Sequence, residues 1–192
     1  MRYSKDHKDK TREKILKAAG NLFRKHGVNN TSIDKLMSSI GLTRGGFYAH
    51  FKSKGHLILE IMKQNNGLVK WLRDRNGTDK HELMDEALTS IQVYLNPKNR
   101  KIVGDSCNLS ALAGDVGRGS KAMRYAYAKR LEIVIDEIMR SLPDSSDKDR
   151  RAILTAILVV GGQLLSRAVE PGEFSDLIEK ISYEEVSDLL KK

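Results

Sequence analysis

Residues 31–57 read TSIDKLMSSIGLTRGGFYAHFKSKGHL. Thr31 and Ser32 are N-cap residue types, and Ile33, Leu36, Met37 and Ile40 follow them at helical spacing. Gly41 supplies a tight turn, and a further helix starts at Thr43, carrying Phe47 on the same apolar underside as Leu42 and Phe51. Its outer face opens with Arg44-Gly45-Gly46, a slim and polar surface. Lys54 begins a longer helix. Two short helices joined at a glycine, apolar beneath and narrow above, meet the physical demands of a helix-turn-helix.

Toward the N-terminus, Ile15, Ala18, Ala19, Leu22 and Phe23 recur at i, i+3, i+4, i+7 and i+8 within a helix predicted over Thr11 to His26, and Gly27 is its natural stop. Ahead of it, Arg2, Lys5, Lys8 and Lys10 read as a flexible basic arm able to follow a nucleic-acid backbone or enter a minor groove. Toward the C-terminus, helices are predicted over about 54–75, 79–96, 106–115, 119–141, 147–169 and 173–191. Their breaks are Asn76-Gly77-Thr78, Asn96-Pro97, Gly117 to Ser120, Pro143 to Ser146 and Pro171-Gly172. No alternating apolar and polar run flanked by hairpin turns appears. The expected fold is all-α, about nine helices, with a helix-turn-helix domain over 1–53 and a larger helical domain over 54–192.

The formal charge of +9 is unevenly placed: residues 1–56 hold 13 Lys/Arg against 4 Asp/Glu, and the rest is balanced at 21 and 21. A basic module on a neutral body is the electrostatic footprint of phosphate binding, so nucleic acid is the expected partner and a membrane is not. The N-terminal charges lack an apolar stretch behind them, unlike a signal peptide. Ala152 to Leu165, the most apolar run, is interrupted by Thr155, Gly161, Gly162 and Gln163 and flanked by Arg150, Arg151 and Arg167, so it reads as a buried helix rather than a span. The single cysteine, Cys107, excludes an internal disulfide and a multi-cysteine metal site, and fits a reducing cytoplasm. His7, His26, His50, His56 and His81 show no ligand spacing and no phosphate-binding glycine loop is present, so no catalysis, cofactor or metal is expected.

The 31–57 pattern resembles, without a gap, the signature of the TetR family of bacterial transcriptional regulators: Thr/Ser, apolar, turn Gly, Tyr-x-His-Phe-x-x-Lys, Leu. The resemblance extends upstream through Ile15, Ala18, Ala19, Phe23 and Gly27, so its specific part covers residues 11–57. It implies a double-stranded DNA operator as partner, with Arg44, Gly45 and Gly46 reading bases in the major groove. Thr43, Tyr48 and His50 would stand at the groove edge. Ser32 and Lys54, at helix N-termini, would hold phosphates. Phe51 reads as core.

A twofold-symmetric reader needs two recognition helices about one DNA turn, roughly 34 to 36 Å, apart, so the C-terminal part must form a homodimer. Ile153, Leu154, Ile157, Leu158, Leu164 and Leu165 are apolar over too wide an arc for a one-sided contact, Gly161-Gly162 permits close helix approach, and the last helix adds Leu177, Ile178, Ile181, Val186 and Leu189. The resemblance further implies a small-molecule effector, with Met62, Trp71, Cys107, Leu112, Met123 and Tyr127 as candidate pocket residues against the plainer reading of each as core. Cys107 opens a helix, which favours a reactive thiol; neighbouring Asp105 would oppose the thiolate, and a lone core cysteine is usually inert. The expected function is a cytoplasmic, ligand-responsive repressor. The alternative is a constitutive or architectural DNA-binding protein without an effector.

Overall fold

The computed structural model describes residues 5–104 and 106–192, the side chain of Lys5 excepted. Arg2 of the expected arm and Asp105 beside Cys107 lie outside the described residues. Eleven helices and no strand occur among the described residues.

The first helix, α1 (Lys5–His26), starts earlier than its apolar periodicity suggested. Asp6 and Lys10 pair across one turn at 2.9 Å, so the charges expected to form a loose arm prolong the helix instead. Lys5, Lys8 and Lys10 therefore belong to α1, a correction to the arm. Gly27, at φ 80°, ends it in the left-handed region that favours glycine. The helix-turn-helix follows as α2 (Ile33–Ser39), the Gly41 turn at φ 71°, and α3 (Arg44–Tyr48). Then comes α4 (Lys54–Lys63), with the Ser53 hydroxyl accepting from the His56 amide.

The helix expected over 54–75 is two. Gln64 and Asn66 are extended, and α5 (Gly67–Arg73) begins at a glycine with φ 52°. A Cβ on Gly67 would lie 2.8 Å from the Cα of Cys107, so conformation and space both demand glycine there. Beyond it run α6 (Lys80–Tyr94), the one-turn α7 (Pro97–Arg100), α8 (Asn108–Gly117), α9 (Lys121–Met139), α10 (Lys148–Ala168) and α11 (Glu173–Lys191). The α4/α5 break and α7 account for the excess over nine helices.

Two apolar clusters organise these helices. One gathers Ile15, Phe23, Leu36, Met37, Phe47, Phe51, Leu57 and Ile61, and is completed from the body by Leu112, Val116 and Met123. The other joins α5, α6, α9, α10 and α11 around Leu68, Leu72, Ile91, Val134, Ile138 and Val159. Asn108, buried at the start of α8, ties the clusters together: its Oδ1 accepts from Arg24 of α1 at 2.8 Å and its Nδ2 donates to the Ile61 carbonyl of α4 at 3.0 Å.

α10 and α11 meet through small and polar residues. A Cβ on Gly162 would come within 2.8 Å of the Ser182 Cβ, whereas one on Gly161 would meet nothing. Only Gly162 serves the internal contact. By length and composition α10 is the one helix among the described residues apolar enough to cross a membrane, yet 44% of that window is buried inside this fold.

Candidate nucleic-acid interface

The recognition helix α3 is anchored by Phe47, fully buried and edge-on to Tyr48 with ring centroids 5.2 Å apart. Anchoring Phe47 turns Arg44, Gly45 and Tyr48 outward, and Tyr48 is 53% exposed. A Cβ on Gly45 would come no closer than 4.0 Å to its nearest neighbour, and one on Gly46 no closer than 3.7 Å. Nothing inside the fold asks for glycine at either place, and each costs helix stability of about 1 kcal/mol relative to alanine.

Arg44 is not idle in the free protein. Its Nη1 donates to Asp34 Oδ2 at 2.9 Å across the turn, an exposed pair. The Tyr48 phenol and the Asp34 carboxylate raise its pKa further above its ordinary value. Sequence reading missed Asp34 as the group holding Arg44 in place. Its signal was an acidic residue in the first turn of α2 beside a basic one opening α3.

Ser32 and Thr43 are both N-caps: Ser32 Oγ accepts from the Lys35 amide at 3.0 Å and Thr43 Oγ1 from the Gly46 amide at 3.4 Å. A capping hydroxyl used as acceptor keeps its own O–H to donate outward, as a phosphate oxygen requires. Lys54 stands at the first turn of α4 with its Nζ 5.8 Å from the centre of the Phe23 ring, and burial lowers its pKa. His50 faces α1. Burial, with Lys8, Arg12 and His7 nearby, depresses its pKa, and its Nδ1 is buried without a partner among the described residues. The head is locked to α4 by Arg12, which reaches Glu60 at 2.6 Å and lies over the Phe51 ring at 4.9 Å.

The six candidate pocket residues are not brought together. Met62 lines an open groove of about 550 Å³ between α4 and α9. Trp71 and Cys107 line a smaller cavity of about 220 Å³ shared with Tyr94, Gln163 and Arg167. Leu112, Met123 and Tyr127 line neither. Leu112 and Met123 belong to the cluster beneath the head, and Tyr127 donates to the Leu109 carbonyl at 2.7 Å, its pKa pushed up to about 12, mainly by burial. Cys107 is buried at the N-cap of α8, and no side-chain cap bond forms there.

Residues 15–61 match the family model for bacterial regulatory proteins of the TetR family. The HTH-type transcriptional regulator TtgR of Pseudomonas putida is 34% identical over 84% of this chain and 82% of its own length. The uncharacterised HTH-type regulator YfiR of Bacillus subtilis is 29% identical over 76% and 70%. Among solved structures, a TetR-family regulator from Cytophaga hutchinsonii superposes with a TM-score of 0.79 at 20% identity, over 100% of this chain and 97% of that one. A putative transcriptional regulator from Saccharomonospora viridis in complex with choline gives 0.63 at 19%, over 93% and 96%. With the recognition helix exposed on a basic head and a relative this similar along most of its length, the chain belongs to the TetR family of helix-turn-helix transcriptional regulators.

Proposed function

We propose that this protein is a dimeric, cytoplasmic repressor that holds a near-palindromic DNA operator and is released from it by a small molecule. One observation carries the DNA reading: α3 presents two glycines that the fold does not need, beside an arginine held outward. Glycine at that place lets a helix backbone approach the base edges, and Arg44 can offer two donors to guanine O6 and N7. Gly45 and Gly46 are thus readout residues with Arg44, while Ser32, Thr43, Tyr48, His50 and Lys54 position the head on phosphates.

The dimer reading rests on α10 and α11. Ile153, Ile157 and Leu165 on α10, and Phe174, Leu177 and Ile181 on α11, are all exposed, while the residues these helices bury against the rest of the chain are largely small or polar. A pair of helices that is small inside and large and apolar outside expects cover, and a twofold copy provides it. Choline in the Saccharomonospora protein supports ligand sensing within this fold.

The test is competition binding on DNA from upstream of the protein's own gene, against random DNA of equal length. The expected result is selective binding by the wild type. Arg44→Ala should cost about 1 to 3 kcal/mol on the selected sequence and little on random DNA, whereas Lys54→Ala should weaken both alike and flatten the salt dependence by about one phosphate contact. Equal losses for Arg44→Ala on both DNAs would refute its readout role. Selective binding that no small molecule relieves would favour the architectural alternative.

A further inference from the structure

We propose that the groove between α4 and α9 binds a carboxylate attached to an apolar body, with the anion held by Arg130 and Arg73. The proposal rests on the effector-responsive reading above and names the chemistry of the effector and its place.

The walls are mixed: Leu59, Met62, Ala122, Ala126, Ile133 and the Tyr125 ring give the space an apolar side, and His56, Lys63 and Lys129 line it together with Glu60, Asn65 and the two arginines. Its 550 Å³ has room for on the order of 15 non-hydrogen atoms, taking roughly 30 Å³ for each water-sized group. Into this lining is set Arg130, only 4% exposed. A buried guanidinium normally has a carboxylate beside it, because an uncompensated buried ion loses several kcal/mol of hydration. Arg130 makes no ion pair among the described residues. Its Nη1 donates to Asn65 Oδ1 at 3.0 Å and its Nη2 to the Gln64 carbonyl, while its Nε is buried with no partner. Burial lowers its pKa, as expected of a cation left without compensation.

The other charges do not cancel it. Arg73 donates to the same Asn65 Oδ1 at 3.2 Å, and its nearest acid, Glu137 at 3.7 Å, is shared with Arg75 and Arg140. Glu60 at the rim is engaged by Arg12 and Lys63, each at 2.6 Å. A plainer role exists for Arg130, as a cation closing the C-terminus of α4 through Gln64. That role uses one of its nitrogens and leaves unexplained the orphan Nε, the second arginine on the same amide and the open apolar space beside them. A carboxylate in the groove supplies the counter-charge that Arg130 lacks and occupies the open space beside Arg73. A neutral acceptor could bond the guanidinium but would leave its buried charge uncompensated, and a cationic guest would face like charge. Because Gln64 ends the helix that leaves the DNA-binding head, an anion competing for Arg130 acts directly on the far end of α4.

The experiment uses the full-length protein and three matched pairs: 1-naphthoate and 1-naphthamide, 4-phenylbutyrate and 4-phenylbutyramide, decanoate and decanamide. Binding is measured by calorimetry and DNA release by gel shift. At least one carboxylate should bind about tenfold or more tightly than its amide. Arg130→Gln should weaken that carboxylate about tenfold and leave amide binding within about twofold, the difference one charge-assisted contact makes. Ala122→Trp, on the exposed surface of α9, should block the groove without disturbing the fold, and keeps the test decisive if Arg130→Gln does not fold. Equal binding of acid and amide, no binding by any carboxylate, or binding indifferent to Ala122→Trp overturns the proposal. A carboxylate that binds as expected yet leaves the DNA complex intact supports the site and counts against ligand-released repression. Selective DNA binding with no carboxylate bound counts against the site alone.

Discussion

The recognition helix and the α10/α11 pair both spend stability on features the single chain does not use, in opposite directions. On α3 the surface is slimmer than folding requires: Gly45 and Gly46 have room for a methyl group and carry none. On α10 and α11 it is bulkier and more apolar than solvent favours, with Ile157 59% and Ile181 48% exposed. The same residue type has different meanings in the two regions. Gly162 is required inside the body because Ser182 stands against it; Gly45 and Gly46 are required by nothing among the described residues. On the function proposed above, residues that local packing fails to explain answer to what docks there: a DNA groove at α3 and an apolar copy at α10 and α11.

The most severe way to break the comparison is at the apolar face. Ile157→Glu with Ile181→Glu should abolish the dimer in sedimentation velocity and lower operator affinity by about 100-fold or more, because each charge is placed twice in a twofold contact. A monomeric double variant that binds the operator as tightly as wild type would separate the two surfaces and defeat the dimer reading. A subtler separation comes from the glycines. Gly45→Ala and Gly46→Ala should raise thermal stability, by about 1 kcal/mol each from helix propensity, while weakening specific DNA binding by about tenfold or more. A gain in stability without a loss in binding would mean that these glycines serve no close approach. The smallest effect is in the head alone. The His50 pKa is held below its ordinary 6.5 in the fold, so the neutral imidazole is favoured there and protonation favours the unfolded chain. Its stabilising contribution is present above pH 6.5 and is lost as pH falls through the depressed folded value. Melting temperatures between pH 7 and pH 5 should therefore decline less steeply for His50→Asn than for wild type, and parallel declines would refute this account.

The helix-turn-helix was legible because its signals are local: caps at Ser32 and Thr43, a glycine at the turn, and apolar residues at helical spacing. The order of the helices, and the ends of α6 and of α8 to α11 to within about two residues, were legible for the same reason. The α4/α5 break was passed over because the apolar pattern continues through Leu68 and Leu72, although Asn66-Gly67 is a turn dipeptide; the decisive constraint, the backbone of Cys107, comes from a distant part of the chain. The basic arm was misread because positive charge was weighed without the i,i+4 pairing of Asp6 with Lys10. The candidate pocket residues scattered because apolar character at helical spacing marks burial and carries no information about which cavity, if any, a residue lines. Arg130 did carry a signal. It sits seven residues after Met123 and four before Val134, in the buried stripe of α9, where a charged residue is out of place.

Asn108 gives the two halves of the molecule a pivot. Its amide gives its acceptor to α1 and its donor to α4, and Arg24 also reaches the Gly104 carbonyl at 2.7 Å; toward the other end of α8, Asp115 Oδ2 accepts from the Val28 amide at 3.2 Å. A rigid displacement that preserves these bonds must turn about the line of α8 that joins them instead of sliding past it. A tilt too small to disturb packing beside that line grows in proportion to distance from it. Carboxamide chemistry suits such a bearing: an aspartate in its place would keep the arginine and lose the hold on Ile61, leaving an axle fixed on one side only.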